Sequence, residues 1–550
     1  MKKSLFMWVI LYCILLFSHN VHGLEVKDFS QTQPDYAIKD NARNPGKISA
    51  IALGDVNGDG YEDIILGAPR AAAMGRADTG IVYIRFGLNF GNGPSQLHES
   101  SFDLTTTSTQ FSDPTVSSIN LDDGHGRLGG AQFNGEVPNG RFGTAVAVGD
   151  FDGDGIDDIA ISMSEELPTI GSGRVYLIKG RTDLAGTISL LNERLEHRSF
   201  YINGRANGDR FGATLFFADL DNDGKDDLII GTPDSGSGGI VDIFYGRDFI
   251  PFFSQGADSL PQPHTVIISE GANDSLGAAF AAGDLTGDGI ADLCISAPNH
   301  SLYASHAGKV YVFAGANRDF SQCKPLPAGT VDLSVTTGTV VIYSQTIAEQ
   351  AGHSIAIGDY NNDGMKDLVI GAPGWTNIDE PDMGRIYILH NDGNMFINTG
   401  RKMLNLSHIE CTKIYSQLPY HRFGSRISFL NFDLHNGEDF VVSAPPAWYN
   451  SFMLSGMAWI FIGRTPTARL GNGQFPMSYD SILMICCGEA VGDMMGSQMA
   501  AGDFNGDGAD DIFFTGAQGV NPAGRSVWGI FGSSSYHVSP VSNGMWVHYR

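Results

Sequence analysis

Apolar residues in this chain come in short runs that Gly, Asp and Asn interrupt. TAVAV at 144–148 leads into GDFDGDGID, then DIAIS at 158–162, then VYLIK at 175–179. β-branched and aromatic runs of this length, bounded by Gly, predict strands. The runs are apolar on both sides of the pleat. That suits sheets packed between other sheets better than sheets with one wet face.

The pattern recurs. GDVNGDGYEDIILGAP at Gly54 returns as GDFDGDGIDDIAISMS at Gly149, ADLDNDGKDDLIIGTP at Ala218 and GDLTGDGIADLCISAP at Gly283. GDYNNDGMKDLVIGAP at Gly358 and GDFNGDGADDIFFTGA at Gly502 follow, with a degraded copy, NFDLHNGEDFVVSAPP, from Asn431. The first acidic or Asn position falls at 55, 150, 219, 284, 359, 431 and 503. Seven residues before it stands a Gly (143, 212, 277, 352, 424 or 496), with Ile48 in the first copy. Twelve residues after it stands Gly67, Ser162, Gly231, Ser296, Gly371, Ser443 or Thr515. A third run follows each time, from GIVYIRFG (80–87) to RSVWGIFG (525–532).

Repetition at this period requires a repeat architecture. A strand before the acidic loop, one after it, the VYLIK-type run and a fourth such as VVIYS (340–344) make one propeller blade. The predicted fold is all-β: a seven-bladed β-propeller of four-stranded antiparallel blades. Residues 24–550 form one domain, with repeats at about 46–87, 141–180, 210–246, 275–315, 350–391, 422–463 and 494–532. Leu24–Ser30 and the C-terminal YHVSPVSNGMWVHYR both remain candidates for closing the ring.

The loops carry the chemistry. Oxygen side chains at positions 1, 3, 5 and 9 converge on one point, Gly at 6 permits the turn, and position 7 contributes its carbonyl. That set suits Ca²⁺, which takes six to eight oxygens at loose distances. The expected metal residues are Asp55, Asn57, Asp59, Tyr61 and Asp63; Asp150, Asp152, Asp154, Ile156 and Asp158; and Asp219, Asp221, Asp223, Lys225 and Asp227. The set continues with Asp284, Thr286, Asp288, Ile290 and Asp292; Asp359, Asn361, Asp363, Met365 and Asp367; and Asp503, Asn505, Asp507, Ala509 and Asp511. The copy at Asn431 has His435 at position 5, and no metal is expected there. About six Ca²⁺ sites result. Without His or Cys in the six loops, Zn²⁺ does not suit them.

Net charge is −27, and six Ca²⁺ would reduce it to −15. An acidic surface argues against nucleic acid as a partner. The abundance of Gly, 70 of 550 residues, reflects tight turns. Residues 1–23 (Lys2, Lys3, then an apolar stretch to Phe17) predict a secretory signal peptide, and no later segment is apolar enough to span a membrane. Secretion or display at the cell surface is expected, periplasmic or extracellular in a bacterium. After signal removal an odd number of cysteines remains, with no metal spacing.

Phe-Gly, the DxNxDGxxD loop, the Gly-Ala-Pro turn and the GxVY run together resemble the FG-GAP repeat of the integrin α-chain head. The same repeat occurs in glycosylphosphatidylinositol-specific phospholipase D. The resemblance implies a seven-bladed propeller with Ca²⁺ in its loops and a ligand face on the opposite side. Nothing here resembles the integrin leg domains, and only about 22 mature residues precede Gly46, too few for a zinc-bearing catalytic domain. The expected function is a calcium-binding adhesion or ligand-binding module for an extracellular protein or glycan, with a tethering partner left open. The alternative is a propeller enzyme or lectin acting on extracellular polysaccharide, although no paired acid and base is visible. Candidate ligand-face residues are Tyr303, Trp375, Trp448 and Tyr449, aromatic anchors on the loops after the GAP turns.

Overall fold

The computed structural model describes residues 48–534 apart from 73–77, 88–100, 104–129, 165–171, 207, 247–262, 302, 316–328, 337–338, 378–379, 398–400, 436, 448–453, 465–472, 477–481, 489–490 and 517–524. Outside that range it describes the strands at 25–28, 36–39, 537–540 and 546–549. The expected signal peptide, Trp448 and Tyr449 lie outside the described residues.

Seven sheets form seven blades. Blade 1 runs outward through Ala50–Gly54, Asp63–Ala68, Ile81–Arg85 and Gly130–Asn134, all antiparallel. The innermost strands of the next five blades are Val146–Gly149, Thr214–Ala218, Phe280–Gly283, Ser354–Gly358 and Arg426–Leu430, and Gln498–Gly502 opens blade 7. The second strands, such as Asp158–Met163 and Asp367–Ala372, are buried along their whole length, as both-sided apolar runs require.

The four-stranded expectation needs correction. Among the described residues, six of the seven sheets have a fifth strand, and it pairs in parallel. Gly186–Ile188 leaves the third strand of blade 2 and lies against Gly130–Asn134 of blade 1 before the chain returns to its own blade. Gly329–Asp332, Lys402–Asn405 and Gly473–Pro476 reach back in the same way to blades 3, 4 and 5. Each lies in the connection before a fourth strand, where the blade-forming pattern is absent from the sequence, so nothing at the residue level announced it.

Closure follows the same rule. Tyr36–Lys39 is the fourth strand of blade 7 and pairs antiparallel with Arg525–Ile530. Glu25–Asp28, just before it, lies parallel against Ile482–Cys487 of blade 6. Ser101–Asp103, from the long connection in blade 1, completes blade 7. Neither segment named from the sequence closes the ring: within Leu24–Ser30, Glu25–Asp28 supplies the added strand of blade 6, and the C-terminal strands His537–Pro540 and Trp546–Tyr549 pair with one another.

The hydrophobic core lies between blades. One cluster joins Ile51, Ile64 and Leu66 of blade 1 to Phe504, Phe513 and Val527 of blade 7. The two fixed offsets meet here. A Cβ on Gly67 would lie 2.1 Å from the carbonyl oxygen of Gly143 in the next blade, and one on Gly371 would lie 2.2 Å from that of Gly424. Where Ser replaces the first glycine, as at Ser443, its hydroxyl donates to Gly496 O at 2.8 Å.

Candidate metal loops and the opposite face

The acidic loop links the first and second strands of each blade. In blade 1, Asp55 Oδ1 accepts the N–H groups of Gly58 (2.7 Å) and Asp59 (3.1 Å), and Oδ2 accepts that of Gly60 (2.7 Å). Asp59 Oδ1 accepts Tyr61 N–H at 3.0 Å. The same turn recurs around Asp150, Asp284 and Asp503. Gly60, Gly155 and Gly289 have φ of 88°, 86° and 85°, the left-handed region that makes Gly the choice at position 6.

Position 9 is buried in all seven loops. One oxygen of Asp63 accepts Gly87 N–H at 2.8 Å, and the other accepts Val56 N–H at 3.0 Å. Asp439, in the copy without a full ligand set, does the same with Gly463 (2.6 Å) and Phe432 (3.0 Å). The carboxylate at 9 therefore ties the loop to the end of the third strand whether or not a metal is expected.

Several loop oxygens lack any donor. Among the buried side-chain oxygens without a hydrogen-bond partner are Asp152 Oδ1 and Asp158 Oδ2 in blade 2, Thr286 Oγ1 in blade 4, Asn361 Oδ1 in blade 5 and Asp511 Oδ2 in blade 7. All occupy position 3 or 9. In blades 2 and 3 the oxygens of Asp150, Asp152 and Asp158, and of Asp219, Asp221 and Asp227, lie within 4.8 Å of one another. Burial, reinforced by neighbouring carboxylates, pushes Asp63 up to about 8 and Asp511 up to about 9; it pushes Asp292 up to about 6. Asp158 and Asp227 are driven upward by burial and by the Asp at position 3. Acceptors crowded together without donors are what a hard divalent cation satisfies, so the donor set fits Ca²⁺. The positions expected at 1, 3, 5, 7 and 9 lie together on one tight turn in each of the six loops.

Blade 2 differs in one respect. Lys179, at the end of the third strand, forms ion pairs with Asp152 and, at 2.7 Å, with Asp154. Blade 2 is one of two among the six complete loops with Asp at position 3, so the ammonium stands against the additional charge.

The opposite face carries the loops after the GAP turns. Tyr303 is 51% exposed and stacks on Tyr343 with ring centroids 4.6 Å apart. Trp375 is only 7% exposed; the Arg385 guanidinium lies 4.8 Å from its ring centroid, and the Tyr415 ring is 5.3 Å away. Expected as an exposed anchor, Trp375 is packing instead. Between blades 3 and 4 lies a polar cluster that spacing alone could not reveal. His300 Nδ1 is 2.8 Å from Asp274 Oδ2, and Glu270 accepts from Tyr311 OH (2.6 Å), Arg401 (3.2 Å) and Lys309. A similar arrangement recurs one blade on, where Glu349 accepts from Arg385 and Tyr387, each at 2.5 Å.

Five stretches, 48–84, 142–178, 211–244, 276–313 and 351–389, match the FG-GAP repeat family. The phosphatidylinositol-glycan-specific phospholipase D of Bos taurus is 33% identical over 204 residues, covering 36% of this chain and 20% of that protein. Integrin alpha-PS2 of Drosophila melanogaster is 30% identical over 179 residues, 32% of this chain and 12% of that one. The chain thus aligns with a fifth or less of either relative. The solved Dos1 propeller overlaps 88% of this chain and 78% of its own, at 10% identity and a TM-score of 0.37. No helix among the described residues is long and apolar enough to cross a membrane. The chain carries five recognisable FG-GAP repeats within a seven-bladed β-propeller.

Proposed function

We propose that this chain is a calcium-stabilised propeller, secreted or held at the cell surface, that binds an extracellular protein or glycan on the face opposite its metal loops. The buried, donorless oxygens at positions 3 and 9 carry the calcium part of the reading. Similarity to an integrin α chain, together with the exposed Tyr303 stacked on Tyr343, supports the ligand part. Calcium sets the loops and thereby the blade spacing, while the opposite loops are free to vary in sequence without touching the metal.

Glycan-array and pull-down screens, with and without chelator, test this reading. A ligand retained in calcium, weakened by Tyr303→Ala and lost with chelator is the expected result. No ligand under either condition would count against the binding role. A polysaccharide-cleaving reading draws on the Asp274–His300–Glu270 cluster. Turnover abolished by His300→Ala would put that reading in place of simple binding.

A further inference from the structure

The residue at position 8 of each loop coordinates nothing, yet in four blades it reaches back to the preceding loop. Asp157 Oδ2 of blade 2 accepts the N–H of Asp55 at 2.9 Å, and the N–H of Asp157 donates to Asp55 O at 3.0 Å. Asp226 of blade 3 holds Asp150 in the same way, at 3.1 and 2.9 Å. Glu438 holds Asp359 at 2.7 and 2.8 Å, and Asp510 holds Asn431 at 2.6 and 3.0 Å.

The clasp, together with the first strand of the next blade, crowds the glycine before position 1, although the clasped Asn431 follows Leu430. A Cβ on Gly54 would lie 2.6 Å from Asp157 Oδ2, one on Gly149 2.6 Å from Asp226 Oδ2, and one on Gly358 2.5 Å from Glu438 Oε2. Blade 3 ends its first strand on Ala218, and position 8 of blade 4 is Ala291. Position 7 adds a second contact, since a Cβ on Gly58 would lie 2.9 Å from Ile156 Cδ1.

The clasp fixes both backbone polar groups of a position-1 ligand to a residue whose immediate neighbour is the position-9 ligand of the next loop. With Ala291 and Lys366 at position 8, blades 4 and 5 offer no carboxylate to the loops before them. Glu62, at position 8 of blade 1, lies against Gly502 of blade 7, where a Cβ would come 1.6 Å from its Oε2, but that oxygen accepts no hydrogen bond. The hydrogen-bonded clasps therefore form two runs, 1–2–3 and 5–6–7, and only the first has a full ligand set in every loop.

We propose that Asp157 and Asp226 are positioning residues that couple the calcium loops of blades 1, 2 and 3. The inference rests on the calcium reading above. Ordering of the blade 2 loop by its metal fixes Asp157, which fixes the backbone of Asp55 and so raises the affinity of the blade 1 loop. By thermodynamic reciprocity the effect also runs the other way.

Terbium luminescence on the purified full chain tests this. Tyr61 is the only aromatic residue at position 7 of the six loops, and its ring also packs on Gly506 of the blade 7 loop. Its sensitised emission, corrected with Tyr61→Phe and read in an Asp507→Ala background that removes a blade 7 ligand, therefore reports the blade 1 loop. Asp154→Ala, which removes a blade 2 ligand, is expected to weaken terbium binding at blade 1 by roughly five- to tenfold, the low end of the usual range of such couplings. That effect should vanish in an Asp157→Ala background and return with Asp157→Asn, which keeps an accepting oxygen. Glu438→Ala, which breaks the clasp between blades 5 and 6, should leave blade 1 unchanged. Binding at blade 1 that ignores Asp154→Ala would overturn the coupling and leave calcium binding intact. No terbium signal in the wild-type chain would remove both.

Discussion

Asp439 separates the structural role of position 9 from the metal role. It is fully buried and accepts from Gly463, Phe432 and Asp433, at 2.6, 3.0 and 3.2 Å. Alanine would leave three backbone N–H groups without partners, a cost of about 2–4 kcal/mol. Denaturant unfolding of Asp439→Ala should show that loss equally in calcium and in chelator. Asp511→Ala should show a loss that is larger in calcium, because it removes a metal ligand as well. The sequence made the acidic loops and their positions legible because loop geometry ties side-chain direction to residue count. It left position 8 silent: the partner of Asp157 is 102 residues away. Trp375 misled for a related reason, since an aromatic on a loop reads the same in sequence whether it faces solvent or an Arg385 from its own blade.

The blade itself was read correctly at four strands and missed at the fifth. Gly186–Ile188 and its counterparts add in parallel to a blade already passed, through three or four residues with no periodicity of their own. The Gly-Ala-Pro and Phe-Gly signals, by contrast, report one contact between successive blades. Gly371→Ala would drive a methyl group to within 2.2 Å of a backbone carbonyl, which cannot rotate away as a side-chain end could. Overpacking of this kind costs about 1–3 kcal/mol. A shift in the urea midpoint with an unchanged slope would match, whereas an unaltered midpoint would mean that the blades slide apart freely. Gly364→Ala, at position 6 of the blade 5 loop, meets no atom within 4 Å, so its cost should come from the positive φ of 86° alone.

At the scale of the whole ring, closure is the weak point, because blade 7 joins strands from both ends of the chain. Removing residues up to Lys39 takes away the fourth strand of blade 7 and the added strand of blade 6 together. Thermal unfolding of that truncation should become broad and begin well below that of a chain that begins at Leu24. Removing residues 537–550 should leave the melt within about 1 °C, since those two strands pair with one another. A sharp, unshifted melt for the first truncation would mean that the N-terminal strands are dispensable to the disc.

Metal content bears on every scale at once. Elemental analysis of native protein, purified without chelator and dialysed against metal-free buffer, should find calcium at about six ions per chain, one for each loop with a complete oxygen set. Chelation should then lower the melting temperature in proportion to the calcium removed. Protein that holds no alkaline-earth metal, and melts at the same temperature with and without chelator, would contradict the account.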